Sequence, residues 1–395
     1  MPTIKVPGFL FAGVHCGIKK GKKKDLALIF SEKPATAAAL FTTNRVKAAP
    51  VLAGMKRIRR RLIQAVVVNS GNANACNGAK GFRDAETACR RVALKLGIDK
   101  GLVFPSSTGV IGVPLPMEKL MSGIDKAAAL LSQATFGRAA EAIITTDRFP
   151  KTSMVKCRLG GRGVIVAGMA KGAGMIAPQM ATMLAYILTD AAVASSSIKG
   201  IIRRSAEKSF HSVTVDGDMS TNDTVLCLAN GSAGNRPVVR GSAGEKELER
   251  AITKIMKDLA LQLVQDGEGG TKVAEIHVQG ARSVAEAKRV AFSVANSKLV
   301  KTAFFGADPN VGRILVATGY SGVSVAPGKI DVSFDGVKFV RNGVVLASRE
   351  GAAARVLKRR SFKVIIHLHQ GRRAASVWTS DLSHRYVRIN SAYRT

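Results

Sequence analysis

Residues Lys171–Asp190 read KGAGMIAPQMATMLAYILTD, a Met-rich apolar run near the middle of a 395-residue chain. It is too short and too broken to span a bilayer. A buried core helix is the ordinary reading, because the flexible Met side chain fills irregular cores. Two features argue for a division within the run. Pro178 interrupts a helix, and Ala181-Thr182 sets a small residue before a hydroxyl, as an acyl shift needs. Attack of Thr182 Oγ on the Ala181 carbonyl would turn that peptide bond into an ester, whose hydrolysis leaves a new chain beginning at Thr182. A freed N-terminal Thr carries its own general base, since an α-amine with an ordinary pKa of roughly 7.7–8.0 is partly neutral at physiological pH. Such a site needs no catalytic His, which suits a chain with 6 His. The residues after Thr182 are left open to a buried helix or a strand.

Outward from this run, 46% hydrophobic residues over 395 positions allow a large core and two or three domains. Aromatics are only 5%, so the core is mostly aliphatic. Lys and Arg number 60 against 27 Asp and Glu, a formal charge of +33. The excess gathers at 19–24 (KKGKKK), 56–61 (KRIRRR) and 355–363 (RVLKRRSFK). Neither zinc-finger spacing nor an alternation of basic and aromatic residues accompanies it, so a solvated basic surface that attracts small carboxylates is favoured over nucleic-acid binding. Cys16, Cys76, Cys89, Cys157 and Cys227 are odd in number and form no CxxC pair, which predicts free thiols in a reducing cytoplasm. The N-terminal segment has no signal-peptide pattern, and no window approaches the ~18 apolar residues of a membrane span.

Strand-like runs lie at 63–68, 163–167, 224–229, 273–278, 314–318 and 361–368. Helical spacing of apolar residues marks 84–96, 117–133, 246–265 and 284–300. The alternation is too irregular for a pure βαβ repeat, so a mixed α+β fold of layered sheets and helices is expected. Residues 232–245, rich in Gly, Ser and Pro, read as a loop, and a smaller unit is expected after about residue 275.

Several short motifs bear on chemistry. NSGNANACNG at 69–78 follows a strand and reads equally as a tight turn or as a polar pocket at the strand end. FPSSTGVIG at 104–112 sets Thr108 beside Gly109, a hydroxyl and a backbone N–H suited to donating to one oxyanion. DGDMSTND at 216–223 fails as a calcium loop, because Thr221 and Cys227 stand where Gly and Glu are required. It reads better as a bracing loop. HLH would put His367 and His369 on one face of a strand, but nothing nearby completes a metal set. FGADPNVGR at 305–313 reads as an irregular loop.

With these motifs in order, the chain resembles the ornithine acetyltransferase (glutamate N-acetyltransferase) family of arginine biosynthesis, which cleaves itself before a Thr nucleophile. The likeness covers nearly the whole chain. TTNRVKAAPV at 42–51, NSGNANACNG, SSTGVIG, TTDRFPK at 145–151, KGAGMIAPQMATML, TVDGDMSTNDT at 214–224, FGADPNVGRI and the terminal YVRINSAYRT carry it.

The run of elements along the chain divides it into a larger domain over 1–275 and a smaller one over 276–395, with an approximate boundary. The resemblance implies an α/β fold, a layered sheet and helix sandwich of the ornithine acetyltransferase and L-aminopeptidase type. It implies cleavage between Ala181 and Thr182 into an α chain, 1–181, and a β chain, 182–395, paired into a heterotetramer. Thr182 is then the nucleophile, and Thr108 and Gly109 form the oxyanion hole. Thr145, Lys171, Thr182, Glu268, Asn390 and Thr395 match substrate-binding positions, with no metal among them.

Glu268 would pair with a substrate ammonium, Lys171 and Asn390 would meet a substrate carboxylate, and the α-carboxylate of Thr395 would be a further ligand. The implied reaction moves an acetyl group from N2-acetyl-L-ornithine to L-glutamate by ping-pong through an acetyl-Thr ester. No cofactor is expected, acetyl-CoA being a candidate second donor. Ala392, Val311 and His211 depart from the family's usual residues, which bears on affinity rather than on reaction type. Two other classes compete: an N-terminal-nucleophile amidase or aminopeptidase, where water takes the acyl group, and a basic nucleic-acid-binding protein.

Overall fold

A computed structural model describes residues 4–177 and 183–392 of the chain. Ala181, Thr182 and Thr395 lie outside the described residues, and with them the bond expected to break.

The strands, in chain order, are β1 (Phe9–Val14), β2 (Leu26–Phe41), β3 (Leu62–Asn72), β4 (Val103–Val110), β5 (Lys151–Leu159), β6 (Arg162–Lys171), β7 (Leu184–Thr189), β8 (Val213–Thr214), β9 (Thr224–Ala229), β10 (Val273–Ala281), β11 (Asp331–Phe334), β12 (Val337–Arg341), β13 (Val344–Val345), β14 (Ser361–His367) and β15 (Arg373–Ser380). Among the described residues they form two mixed sheets. One runs β4-β3-β2-β9-β7-β6-β5 with β1 added on β2, and the other runs β13-β12-β11-β14-β10-β15-β8. The first joins antiparallel hairpins to two parallel pairs, β3 with β4 and β7 with β9.

The apolar half of the opening stretch is strand β7. All six of its residues are buried, as expected of a strand covered on both faces and read as a continuous apolar run. It pairs with β6 through Lys171↔Leu184 and runs parallel to β9 through Leu184↔Thr224. Burying its Leu and Ile side chains contributes roughly 1.5–3 kcal/mol each.

On one side, helix Ala243–Gln265 packs on β5 and β6 and against helix Ser195–Glu207. Its start is fixed by two side-chain caps. Ser242 accepts from the Glu245 N–H, and the Glu245 carboxylate accepts from the Gly241 N–H at 2.6 Å. The helix approaches so closely that a Cβ on Gly168 would lie 2.7 Å from Ile255. Helices Phe136–Ile143, Gly78–Leu96 and Met117–Ala129 cover other parts of this sheet. The second sheet takes its strands from 213–214 and 273–380 and packs on helix Val284–Asn296; residue 275 itself sits within β10.

Three local expectations need correction. ILVAT at 314–318 is not a strand but part of helix Val311–Gly319. Its buried Val311, Ile314, Ala317 and Thr318 follow helical spacing, and Asn310 caps the N-terminus. The single helix expected over 284–300 is two, Val284–Asn296 and Lys298–Gly306, because Ser297 is extended and caps the second. His367 and His369 do not share a strand face: β14 ends at His367, and His369 turns left-handed at φ 52. The two imidazoles pack on each other, with ring centroids 3.7 Å apart.

Candidate active site

The C-terminal ends of the parallel strands β3 and β4 bring NSGN and SSTG side by side, with Ser70 opposite Thr108 and Gly71 opposite Gly109. Gly109 is essential to this approach. Gly109 holds φ +131, and a Cβ there would sit 2.3 Å from the Gly71 carbonyl carbon. The asparagines of the first motif brace the turn. Asn69 donates to the Asn72 carbonyl at 2.8 Å and accepts from Ser107 Oγ at 2.6 Å. From the 216–223 loop, Asn222 ties the two strands together by donating to the Ala73 carbonyl at 2.7 Å and the Ser107 carbonyl at 2.8 Å. The bracing role expected of that loop is therefore the observed one.

Thr108, Gly109, Thr145, Lys171, Glu268 and Asn390 all line one cavity of about 180 Å³, together with Asp216, Asn222 and Tyr386. Its size suits an amino-acid derivative rather than the larger ligands that fill pockets of roughly 300–1,000 Å³. A roomier cavity of about 620 Å³ lies elsewhere, between Glu207, Lys288, Arg289 and Phe292, and contains none of these six residues. His211 lines that second cavity, and Val311 is buried under the second sheet. Ala392 ends the exposed C-terminal helix, two residues beyond Asn390.

Lys171, at the end of β6, is buried and donates to Thr108 Oγ1 at 2.9 Å. Burial lowers its pKa below the usual lysine value, with the carboxylates of Asp147, Asp223 and Glu268 opposing the shift. Asp147 is the hub behind it. Its carboxylate accepts from the Gly172 N–H at 2.6 Å, the Thr145 N–H at 2.9 Å and Lys151 Nζ at 2.7 Å. Burial alone would raise its pKa, but Lys151 and Lys171 outweigh that and hold it at about 2. Lys151, fully buried, also reaches Asp266 at 2.6 Å, and Asp266 accepts from Arg148 at 2.8 Å.

This ionic network was not legible as a site. TTDRFPK shows only scattered charges around a Pro, and Asp266 stands 115 positions from Lys151.

The acidic side of the cavity is Glu268, whose Oε2 accepts from Asn390 Nδ2 at 2.9 Å. It comes close because position 174 is glycine: a Cβ there would lie 2.5 Å from Glu268 Oε2. Asp216, the first residue of the loop expected to brace the site, fixes the chain ahead of the expected break by accepting from the Met175 and Ile176 N–H groups at 2.7 and 2.8 Å. Tyr386 donates its hydroxyl to the same carboxylate at 3.1 Å. The arrangement offers a hydroxyl and a backbone N–H for a developing oxyanion, a cation behind the hydroxyl, and a carboxylate across the cavity.

The sequence model of the ArgJ family matches residues 10–395. The chain belongs to the ArgJ family. It is thereby an enzyme of arginine biosynthesis and an acyltransferase. The arginine biosynthesis bifunctional protein ArgJ of Geobacter sulfurreducens is 50% identical over 393 residues, covering 99% of this chain and all of that protein. That of Symbiobacterium thermophilum is 47% identical over 390 residues, covering 98% and 97%. In the crystal structure of ArgJ from Bacillus halodurans, the matching chain is 36% identical, with a TM-score of 0.51. It covers 53% of this chain and 98% of its own length. Like that relative, this member has the mixed α/β architecture, and among its described residues no helix is long and apolar enough to cross a membrane.

Proposed function

We propose that this cavity carries an acetyl group from N2-acetyl-L-ornithine to L-glutamate through an ester on Thr182. The observation that carries the reading is the convergence of Lys171, Thr108 and Gly109 on one wall of the cavity that also holds Glu268 and Asn390.

The sequence of events begins with the chain itself. Thr182 Oγ attacks the Ala181 carbonyl carbon, the C–N bond breaks, and hydrolysis of the ester frees Thr182 as a new N-terminus. A break there gives pieces of 181 and 214 of the 395 residues, or about 46% and 54%. The solved Bacillus halodurans chain, nearly all of which is covered by 53% of this one, supports such a division. The pieces stay joined as an α chain and a β chain, for which we propose the heterotetramer of the family.

In the first half-reaction the Thr182 α-amine takes the hydroxyl proton as Oγ attacks the acetyl carbon. The oxyanion is met by the Thr108 hydroxyl and the Gly109 N–H. Collapse breaks the acetyl C–N bond, the proton passes to the leaving nitrogen, and ornithine departs. In the second, the amine of glutamate attacks the ester, and Thr182 Oγ leaves with its proton restored. Glu268 serves the substrate ammonium. Lys171, Asn390 and the terminal carboxylate of Thr395 complete binding, with Thr145 beside them. No cofactor enters these steps; acetyl-CoA would serve as a second donor by acylating the same hydroxyl. The 5 free cysteines accord with a reducing cytoplasm.

Intact mass after expression tests the first step, which predicts two fragments meeting at Ala181 and Thr182. Incubation with N-acetylornithine, with and without glutamate, tests the second. Acetyl release that proceeds as fast without glutamate would identify an amidase and overturn the transferase reading.

A further inference from the structure

The basic run KKGKKK at 19–24 takes no part in the steps above, and it lies in the loop that joins β1 to β2. That loop is gathered around the buried carboxylate of Asp25. One oxygen accepts from the Cys16 N–H at 2.6 Å, the other from the N–H groups of Gly17, Ile18 and Lys19 at 3.1, 2.8 and 3.0 Å. Four successive N–H groups turned onto one anion form a nest, which fixes the chain as far as Lys19. The Asp25 carbonyl in turn accepts from the Ser70 N–H at 2.8 Å, so the loop is tied to the end of β3.

Lys19 is half-buried, whereas Lys20, Lys22 and Lys23 are exposed. Its stem crosses Gly71, the partner of Gly109, where a Cβ would meet Lys19 Cγ at 2.9 Å. Its ammonium donates to the Lys24 carbonyl at 2.8 Å and to the Ile144 carbonyl at 2.5 Å. Helix Phe136–Ile143 ends just before Ile144, where carbonyls have no partner within the helix and a cation is favoured. The other end of the same peptide unit is held as well: the Thr145 N–H donates to Asp147 Oδ2 at 2.9 Å. The unit is planar, so a cation on its oxygen and a carboxylate beyond its nitrogen fix its rotation, and the Thr145 Cα lies in that plane. Burial lowers the Lys19 pKa to about 8, with Asp25 and Asp147 opposing the shift and Lys171 and Lys23 adding to it, which leaves a cation at neutral pH.

We propose that Lys19 is a positioning residue for the acyl donor: by holding the Ile144 carbonyl from the β1–β2 loop, it sets Thr145 in the wall of the cavity. Thr145 lines that cavity beside Lys171 and Glu268, and Lys19 does not. The assignment rests on the reading of the cavity as the N-acetylornithine site.

Lys19→Met keeps most of the stem over Gly71 and loses the ammonium. Its KM for N-acetylornithine, at saturating glutamate, is expected to rise about fivefold, the scale of one hydrogen bond, with kcat nearly unchanged. Thr145→Ala should raise KM by a similar factor, and Lys19→Met should add nothing in that background, because the two act as one. A wild-type KM in Lys19→Met, or effects that add in full, would overturn the proposal. So would an equal rise in Lys22→Met, which would assign the effect to general attraction by the loop. Circular dichroism shows whether each variant folds. Should Lys19→Met not fold, Lys19→Gln, one bond shorter and uncharged, is read in its place; loss of the fold in both would make Lys19 a structural cap and overturn its positioning role. A wild-type KM in Thr145→Ala, or a wild-type protein that transfers no acetyl group from N-acetylornithine, would instead overturn the reading of the cavity, and this assignment with it.

Discussion

Lys171 Nζ donates a 2.9 Å hydrogen bond to the hydroxyl oxygen of Thr108, a residue 63 positions away on another strand. With that oxygen accepting from the ammonium, the Thr108 hydrogen turns away from Lys171, and Thr108 and Gly109 both line the cavity. Lys171 thereby constrains the Thr108 hydroxyl, the oxyanion donor proposed above.

Lys171→Met is accordingly expected to lower kcat by roughly a hundredfold, the scale of losing one oxyanion donor. Thr108→Ser, which keeps a hydroxyl in place, should retain most of the activity. Steady-state rates with N-acetylornithine and glutamate check both. A Met variant altered only in KM would leave Lys171 as a simple binding residue.

Gly109→Ala should fail in the fold before it fails in chemistry. The new methyl would meet Gly71 at 2.3 Å, and alanine rarely adopts φ +131. Loss of soluble protein, or a clear drop in melting temperature, is the expected outcome.

Asp147→Asn removes the carboxylate that Lys151 and Lys171 hold at about 2. The folded value lies below the ordinary 3.8, so the stabilisation is present above pH 3.8 and is lost as pH falls toward 2. It amounts to about 2 kcal/mol. Urea unfolding at pH 7 should show the variant destabilised by at least that much, because Lys151 keeps only Asp266 as a carboxylate partner, and the gap from wild type should close in acid.

Lys301 gives the opposite sign. Burial holds it down to about 7, with Asp216 and Asp381 opposing, and it donates to Thr379 at 2.8 Å and to the Ser380 carbonyl. The unfolded chain keeps its proton up to about 10.5, so between pH 7 and 10.5 the unfolded state binds more protons and stability rises with pH. Lys301→Met should flatten that rise, as thermal melts at pH 7 and 9.5 would show.

The sequence was legible wherever a pattern is local. The runs at 63–68, 163–167, 224–229 and 273–278 are strands because their apolar content is continuous or alternates. It misled at 314–318, where β-branched residues drew a strand although the spacing from Val311 to Thr318 is helical and Asn310 caps it. It left the half of KGAGMIAPQMATMLAYILTD after Thr182 undecided, because six buried apolar residues suit a helix or a strand alike. Its place between β6 and β9 made it β7.

By itself, then, the sequence determined the family, the hydroxyl–glycine pair Thr108-Gly109 and the residue types set around the Ala181–Thr182 bond. Tertiary structure alone decided that Lys171 stands behind Thr108, that Asp147 and Asp266 share Lys151, and that Asp223 holds the Met183 N–H. The reason is physical. Propensity and periodicity act over a few residues, whereas the charge state and partners of a buried group depend on residues that the sheet brings in from 40 to 115 positions away.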